Sequence, residues 1–492
     1  MFDLMFYNRK RQENRMDQPL YRARTLIISA LTLMLALESS PAPAQAQPPP
    51  EYRSLAREIF AELIAINTTQ SRGATPAARA IAARLRAAGF AEDDLVLAGP
   101  RPENLNVVVR LRGRGAGRPI LFIAHLDVVE ARAEDWTVDP WTLTERDGWF
   151  YGRGTLDIKC EITDLVTNLI RLKKERFSPA RDIIVALTDD EEGGDANGAA
   201  WLLANRRELV DAEYVINADA GGAQIQNGRR VRNPIQTGEK GYVTWQLEVT
   251  NPGGPSALPR PDNAIYRLAD ALTRLAHYDF PVHLNETTRA WFLSLAEREQ
   301  GQLREDLRAV TRTPPDDAAV RRLSEVPFYN STMRTTCVAT MIEGGHAENA
   351  LPQRARATIQ CRLLPGDDPA AVQATLARVI ADTGVSITMV GQAYPGTASP
   401  LRQDLFQTIE RITSEMWPGV RTLPVMDPWT SDGVHFRRAG IPVYGLSGIF
   451  FDMNDNRAHG KDERVGVREF YEGISERRCG AKSNEHPGHS KI

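Results

Sequence analysis

The chain has 492 residues, a formal net charge of −3, 25% charged and 42% hydrophobic residues. That composition is ordinary for a soluble globular protein, and the length allows two or three domains around a large core. The near-neutral balance, without a basic stripe interleaved by aromatics, gives no reason to expect nucleic acid.

Residues 1–46 read as an export signal with an upstream extension. Arg22 and Arg24 precede an apolar run over 26–37, and Ala44-Gln45-Ala46 supplies an A-x-A cleavage site. The run is short for a bilayer span. No stable membrane anchor is therefore expected after cleavage, and the mature protein is placed in the periplasm or outside the cell; an uncleaved anchor is the competing reading. Pro48-Pro49-Pro50 makes 47–53 a stiff linker. Four cysteines stand at 160, 337, 361 and 479, with no C-x-x-C, which argues against thiolate metal sites. Cys337 and Cys361 lie on β-rich runs flanking 344–352 and could face each other across a hairpin, either bonded or as two buried thiols.

Residues 54–67 carry Leu55, Ile59, Leu63 and Ile66 at helical spacing, and 77–88 predicts a second helix. Apolar runs at 106–111, 120–129, 182–188 and 214–217 predict buried strands, alternating with helices at 162–174 and 199–209. That alternation implies an α/β layer with a mostly parallel central sheet and helices on both faces. From Gly241 the pattern changes: an alternating strand at 242–250, a helix at 263–276, a charged helical stretch at 285–325, paired strands at 335–342 and 354–363, a helix at 369–383 and a strand at 385–390. One domain, 54–238 with 394–473, is thus interrupted by an α+β insert at 239–393. The tail, 474–492, has almost no apolar residues and is expected to be disordered.

The chemistry gathers in the outer segments, at the downstream ends of strand-like runs. In open α/β sheets ligands collect there. His125-Leu126-Asp127 ends one strand; residues two apart share a face, so Asp127 can orient the His125 imidazole. Asp157 follows the turn Gly152-Arg153-Gly154. Asp189-Asp190-Glu191-Glu192 places four acids at one strand end, where they repel unless cations neutralise them. Asp219 follows the next strand, and His459 lies far downstream. Each has a bland alternative: a core histidine, a turn aspartate capping a helix, a solvated acidic loop, a surface histidine. Two histidines and four carboxylates in this order match the needs of a pair of zinc ions, which take imidazole nitrogen and carboxylate oxygen.

The sequence resembles the co-catalytic dinuclear zinc metallopeptidases that include glutamate carboxypeptidase, aminoacylase and succinyl-diaminopimelate desuccinylase. The matching text is HLDVV at 125–129, GRGTLDIK at 152–159, DDEEGG at 189–194, EYVINAD at 213–219 and AHG at 458–460. In the insert it is EKGY at 239–242, GGPSALPRPDNAI at 253–265, ENALP at 348–352 and CRLLPG at 361–366. The resemblance implies that His125, Asp157 and Asp219 hold one zinc and Asp157, Glu192 and His459 the other, with Co2+ or Mn2+ as substitutes. Glu191 would be the general base toward a metal-bound hydroxide, and Asp127 would orient His125. Asn349 and Arg362 match substrate-binding positions, the arginine gripping a free carboxylate. The insert would serve as lid and dimerisation domain of a homodimer. One departure is Pro255, where the family carries a histidine in Gly-His-Ser-Ser that helps stabilise the oxyanion. The expected function is an exported exopeptidase acting on short peptides with a free C-terminal carboxylate. An N-acyl-amino-acid amidohydrolase is the alternative, and a metal-stabilised binding protein without turnover the remote one.

Overall fold

The computed structural model describes residues 47–483 apart from residue 116, with side chains described as far as Ser475. The expected signal segment at 1–46 lies outside the described residues. Among the described residues no helix is long and apolar enough to cross a membrane.

The central sheet is parallel in its middle. Strands Ile183–Thr188, Ile120–His125, Tyr214–Asn217 and Val443–Gly445 run side by side in that order, all parallel. Antiparallel strands flank them, Asn104–Leu111 and Leu95–Arg101 on one side and Ile235–Glu239 on the other. Both faces are covered, and the period-two alternation shows it. Val107, Val109, Ile183, Val185 and Leu187 point into one core with the helices Pro50–Ala65, Thr75–Ala87 and Lys159–Lys174. Val108, Ile184 and Ala186 point into the other, with helices Gly198–Asn205 and Gly433–Arg438. Strands buried on two faces read as unbroken apolar runs, which is why their sequences show no alternation of polarity.

The register brings the functional ends together. His125 pairs with Thr188, and Ile123 with Asn217. His125, the Asp189–Glu192 turn and Asp219 therefore leave the sheet at the same edge.

A second sheet is built by residues 241–394. Its order is Thr336–Gly344, Arg354–Leu363, Gly241–Thr250, Ser386–Tyr394, antiparallel throughout. Val243, Trp245, Leu247 and Val249 face helices Ala264–Ala276 and Pro369–Ile380. The other face, with Tyr242, Thr244, Gln246 and Glu248, is partly open. Cys337 and Cys361 stand directly opposite and are bonded, with a sequence separation of 24. Closing a loop of that length restricts the unfolded chain and is worth about 3 kcal/mol. Replacing both cysteines by alanine is expected to lower the stability by that order in urea unfolding. An unchanged midpoint would show that the bridge constrains nothing.

Two sequence expectations are corrected, at the linker and at the tail. Residues 47–53 are not a linker throughout: the first helix starts at Pro50, with Pro49 as N-cap, and Tyr52 is buried. Proline suits the first helical position because its fixed φ is helical and its missing N–H would have no partner there. The charged stretch 285–325 is helical as expected, in three helices, Glu286–Ala296, Gly301–Ala309 and Asp317–Ser324, with a fourth, Pro327–Met333, beyond it. They pack around Trp291, Phe292, Leu307, Val310 and Leu323, against Leu423 and Val425. The tail is also not disordered from 474. The last helix runs Val467–Ser483. Phe470 and Ile474 are fully buried in a core with Phe60 and Phe150, and Asn168 Nδ2 donates to the Ile474 carbonyl at 2.9 Å. A helix nucleated by that apolar turn propagates cheaply through Glu476, Arg477, Arg478, Ala481 and Lys482, all good helix formers.

Candidate metal centre

Asp157 stands between two imidazoles. Its Oδ1 lies 3.1 Å from His125 Nε2, and its Oδ2 lies 3.0 Å from His459 Nε2. Each histidine has a second carboxylate beside it. Asp219 Oδ1 is 3.8 Å from His125 Nε2, and Glu192 is 2.9 Å from His459 Nε2. The cluster divides into His125 with Asp219 and His459 with Glu192, and Asp157 gives one oxygen to each half. Ligand atoms of His125, Asp157 and Glu192 lie within 4.8 Å of one another, as do those of His125, Glu191 and Asp219.

The Asp157 turn and its neighbours explain how the group is assembled. His125 is buried, and its Nδ1 donates to the backbone carbonyl of Asp127 at 3.0 Å. The Asp127 carboxylate is 3.7 Å from that nitrogen. Here the expectation needs correction. The residue orients the ring through its carbonyl, because the carboxylate is occupied elsewhere. It accepts the backbone N–H of Glu191 at 3.1 Å and of Glu192 at 2.9 Å. Asp127 thus fixes the backbone under both glutamates.

The four-acid run is resolved the same way. Asp189 turns inward and accepts from Ala74 N and Asn104 Nδ2. Asp190, at φ 64°, accepts from Ala196 N at 2.6 Å. Only Glu191 and Glu192 remain for the cluster. Asp219 is placed by its backbone, whose N–H donates to Asn217 Oδ1 at 3.0 Å, while Asn217 Nδ2 donates to Ser431 Oγ at 2.9 Å.

The electrostatics mark a site built for positive charge. Burial disfavours charge on Glu191 and carries its pKa well above the usual carboxylate range. Burial likewise raises Asp219 and Asp127, each to about 7. Burial opposes charge on Asp157 too, but hydrogen bonds from His125 and His459 hold it below the usual range. Hydrogen bonds to Asp157 and Glu192 raise His459 to about 10. A proton and a divalent cation compete for these same lone pairs. The donor set is imidazole nitrogen and carboxylate oxygen, with one carboxylate spanning two halves. It fits a pair of zinc-like cations.

Arg362 lies on the open face of the second sheet. Its guanidinium sits 5.5 Å from the Tyr242 ring centroid, and Nη1 donates to Thr430 Oγ1 at 3.3 Å. Among the described residues no carboxylate pairs with it. Asn349 is exposed at the loop beside strand Ala350–Leu351, where its carbonyl accepts from Ser256 N at 3.0 Å. No hydrogen bond or ion pair joins Asn349 to the metal cluster among the described residues. Pro255 pairs with Ala350 in the same exposed ribbon and offers no side-chain donor.

Sequence reasoning missed the supports. Asp432 accepts from Thr188 Oγ1 and Asn197 Nδ2, each at 2.7 Å. Glu239, fully buried, accepts from Ser431 N and Oγ and pairs with Arg437 at 2.6 Å. Glu463 and Arg153 form another buried pair. A Ser-Asp-Gly or Lys-Asp-Glu triplet in a loop looks like solvated surface, so local sequence carried no signal for Asp432 and Glu463; Glu239 and Arg153 lie inside the matching stretches EKGY and GRGTLDIK, which marked the segments but not the role.

The sequence of residues 121–476 matches the model of peptidase family M20/M25/M40. The chain belongs to this family. An N-fatty-acyl-amino acid synthase/hydrolase of Homo sapiens is 28% identical over 365 residues, covering 72% of this chain and 71% of that protein. A probable carboxypeptidase S-like protein of Dictyostelium discoideum is 27% identical over 361 residues, covering 72% and 69%. The crystal structure of an M20 family metallo-carboxypeptidase from Sulfolobus solfataricus superposes with a TM-score of 0.67 at 17% identity, covering 87% of this chain and 99% of that one. The fold is theirs. As a family member the chain is a hydrolase acting on C–N amide bonds.

Proposed function

We propose that the chain is an exported dinuclear zinc exopeptidase that cleaves short peptides next to a free C-terminal carboxylate. The observation that carries this reading is Asp157, one oxygen toward each of two histidines that each have a further carboxylate. His125, Asp157 and Asp219 would hold one ion, and Asp157, Glu192 and His459 the other. When bound, such ions polarise a carbonyl oxygen and make a water more acidic. Glu191 accepts the proton of the attacking water and returns it to the leaving amine. Asp127 keeps that carboxylate in place through the backbone of Glu191. Arg362 takes the substrate carboxylate, a task suited to a forked guanidinium that pairs with no carboxylate among the described residues.

The similarity to the human N-fatty-acyl-amino acid hydrolase favours one second reading, an N-acyl-amino-acid amidohydrolase. The two share the bond, the base and the free carboxylate, and differ only in what occupies the acyl side. The disulfide supports an oxidising compartment, periplasmic or extracellular. Strand Thr336–Gly344 is a sheet edge exposing Val338, Met341 and Ile342, which supports a homodimer through the lid.

A panel of dipeptides and N-acyl amino acids tests the reading. Arg362→Ala is expected to lower kcat/KM on free-carboxylate substrates by about 10²-fold, from the roughly 1.5–3 kcal/mol of a charged hydrogen bond. The corresponding amides should change little. Equal losses on acids and amides would remove the carboxylate assignment. Preference for N-acyl amino acids over dipeptides would select the second reading.

A further inference from the structure

We propose that Glu463 and Arg153 are positioning residues, a buried clamp that locks the Asp157-bearing turn to the His459-bearing loop and so sets the distance between the two halves of the metal centre. The proposal rests on the dinuclear reading above.

Glu463 is fully buried, and its carboxylate is saturated. Oε1 accepts Leu156 N at 2.7 Å and Asp157 N at 2.8 Å. Oε2 accepts Gly154 N at 2.9 Å and Arg153 Nη1 at 2.6 Å. A carboxylate has about four lone-pair sites, and here every one serves a single turn. Three are backbone donors, and the last of them belongs to Asp157 itself. The backbone that aims the shared carboxylate is thus held by a residue four positions beyond His459.

Arg153 closes the clamp from the other side. Its Nη2 donates to the Gly460 carbonyl at 3.0 Å and lies 3.4 Å from the carbonyls of His459 and Glu130. The guanidinium is covered by the Trp136 ring, with 5.1 Å to its centroid. His459 has φ 62°, in the left-handed region that few residues other than glycine adopt, although histidine enters it more readily than most. Such a conformation persists only where neighbours over-determine it. The hydrogen bonds to the carbonyls of His459 and Gly460 do that at the exposed loop that carries the second imidazole.

Stability alone does not account for the pair. A buried ion pair is often no better for stability than apolar residues of the same volume, because two charges must leave water. What this pair does that apolar residues would not is join two segments more than 300 residues apart at the residues that face the cluster. Outer-shell partners of metal ligands typically contribute 10–100-fold to metal affinity or activity.

The test is zinc affinity of the folded full chain, by competition with a chromophoric chelator, together with the visible spectrum of the cobalt-substituted protein. Glu463→Gln puts an amide N–H where a backbone N–H or the guanidinium needs an acceptor. It is expected to weaken zinc binding by about 10–100-fold and to alter the cobalt spectrum. Arg153→Lys keeps the charge beside Glu463 but loses the reach to the His459 loop. It is expected to retain one zinc per chain and release the other, and it decides the matter alone if Glu463→Gln does not fold. A purely structural pair would lower the melting temperature and leave zinc affinity, stoichiometry and spectrum as in the parent. That result in Arg153→Lys, or in a folded Glu463→Gln, overturns the proposal. A parent chain that binds no zinc would instead remove the dinuclear reading, and the clamp with it.

Discussion

Glu191→Gln is expected to lower kcat by about 10²–10⁴-fold, the typical contribution of a positioned general base, while both zinc ions stay bound. The amide has the same shape, and the backbone N–H of Glu191 still donates to Asp127 Oδ1, so the side chain keeps its place. What it loses is the ability to accept a proton. The competing assignment exchanges the two glutamates. It is pertinent because a Glu191 oxygen does lie within 4.8 Å of ligand atoms of His125 and Asp219. Against it, Glu192 is already committed to His459, 2.9 Å away. Zinc content measured alongside kcat separates the two. A Gln variant that loses zinc makes Glu191 a ligand.

Asp157→Asn should have the larger effect on metal. Among the described residues Asp157 is the one whose two oxygens face both halves, so losing its charge weakens each ion at once. Zinc per chain is expected to fall from two to at most one after dialysis against a chelating buffer. The affinity loss should exceed the about 10–100-fold that an outer-shell partner contributes. Turnover should fall further than in Glu191→Gln. His459→Ala is the comparison. It removes a ligand from one half only, and the half at His125 and Asp219 should keep its ion. If Asp157→Asn still binds two ions as the parent does, the aspartate is not the shared ligand.

How much of this was legible in the sequence depends on how each residue is held. His125, Asp157, Glu192 and Asp219 were legible because they follow a buried apolar run or a glycine turn, and strand ends in parallel sheets are where ligands gather; His459, after a loop rich in Asn and Asp, was marked only by the resemblance. His125, Asp157, Glu192, Asp219 and His459 converge as their order suggested. The supports were not legible. Glu463 acts through backbone amides of a turn 306–309 residues away, and no local pattern encodes that. Asp127 was placed next to the right imidazole but given the wrong atom. Side-chain spacing cannot reveal that its carboxylate is taken by the backbone of Glu191 and Glu192. The tail was misread because an apolar count ignores propagation: Phe470 and Ile474 anchor a helix that good helix formers then extend. The linker was misread because three prolines suggest stiffness, while the third also starts a helix.

Crystals of the zinc-loaded full chain, with anomalous data collected on both sides of the zinc absorption edge, test the central claim most directly. Two anomalous peaks are predicted per chain, one on each side of Asp157, the first beside His125 and Asp219 and the second beside His459 and Glu192. A single peak, or zinc bound away from Asp157, would contradict the account.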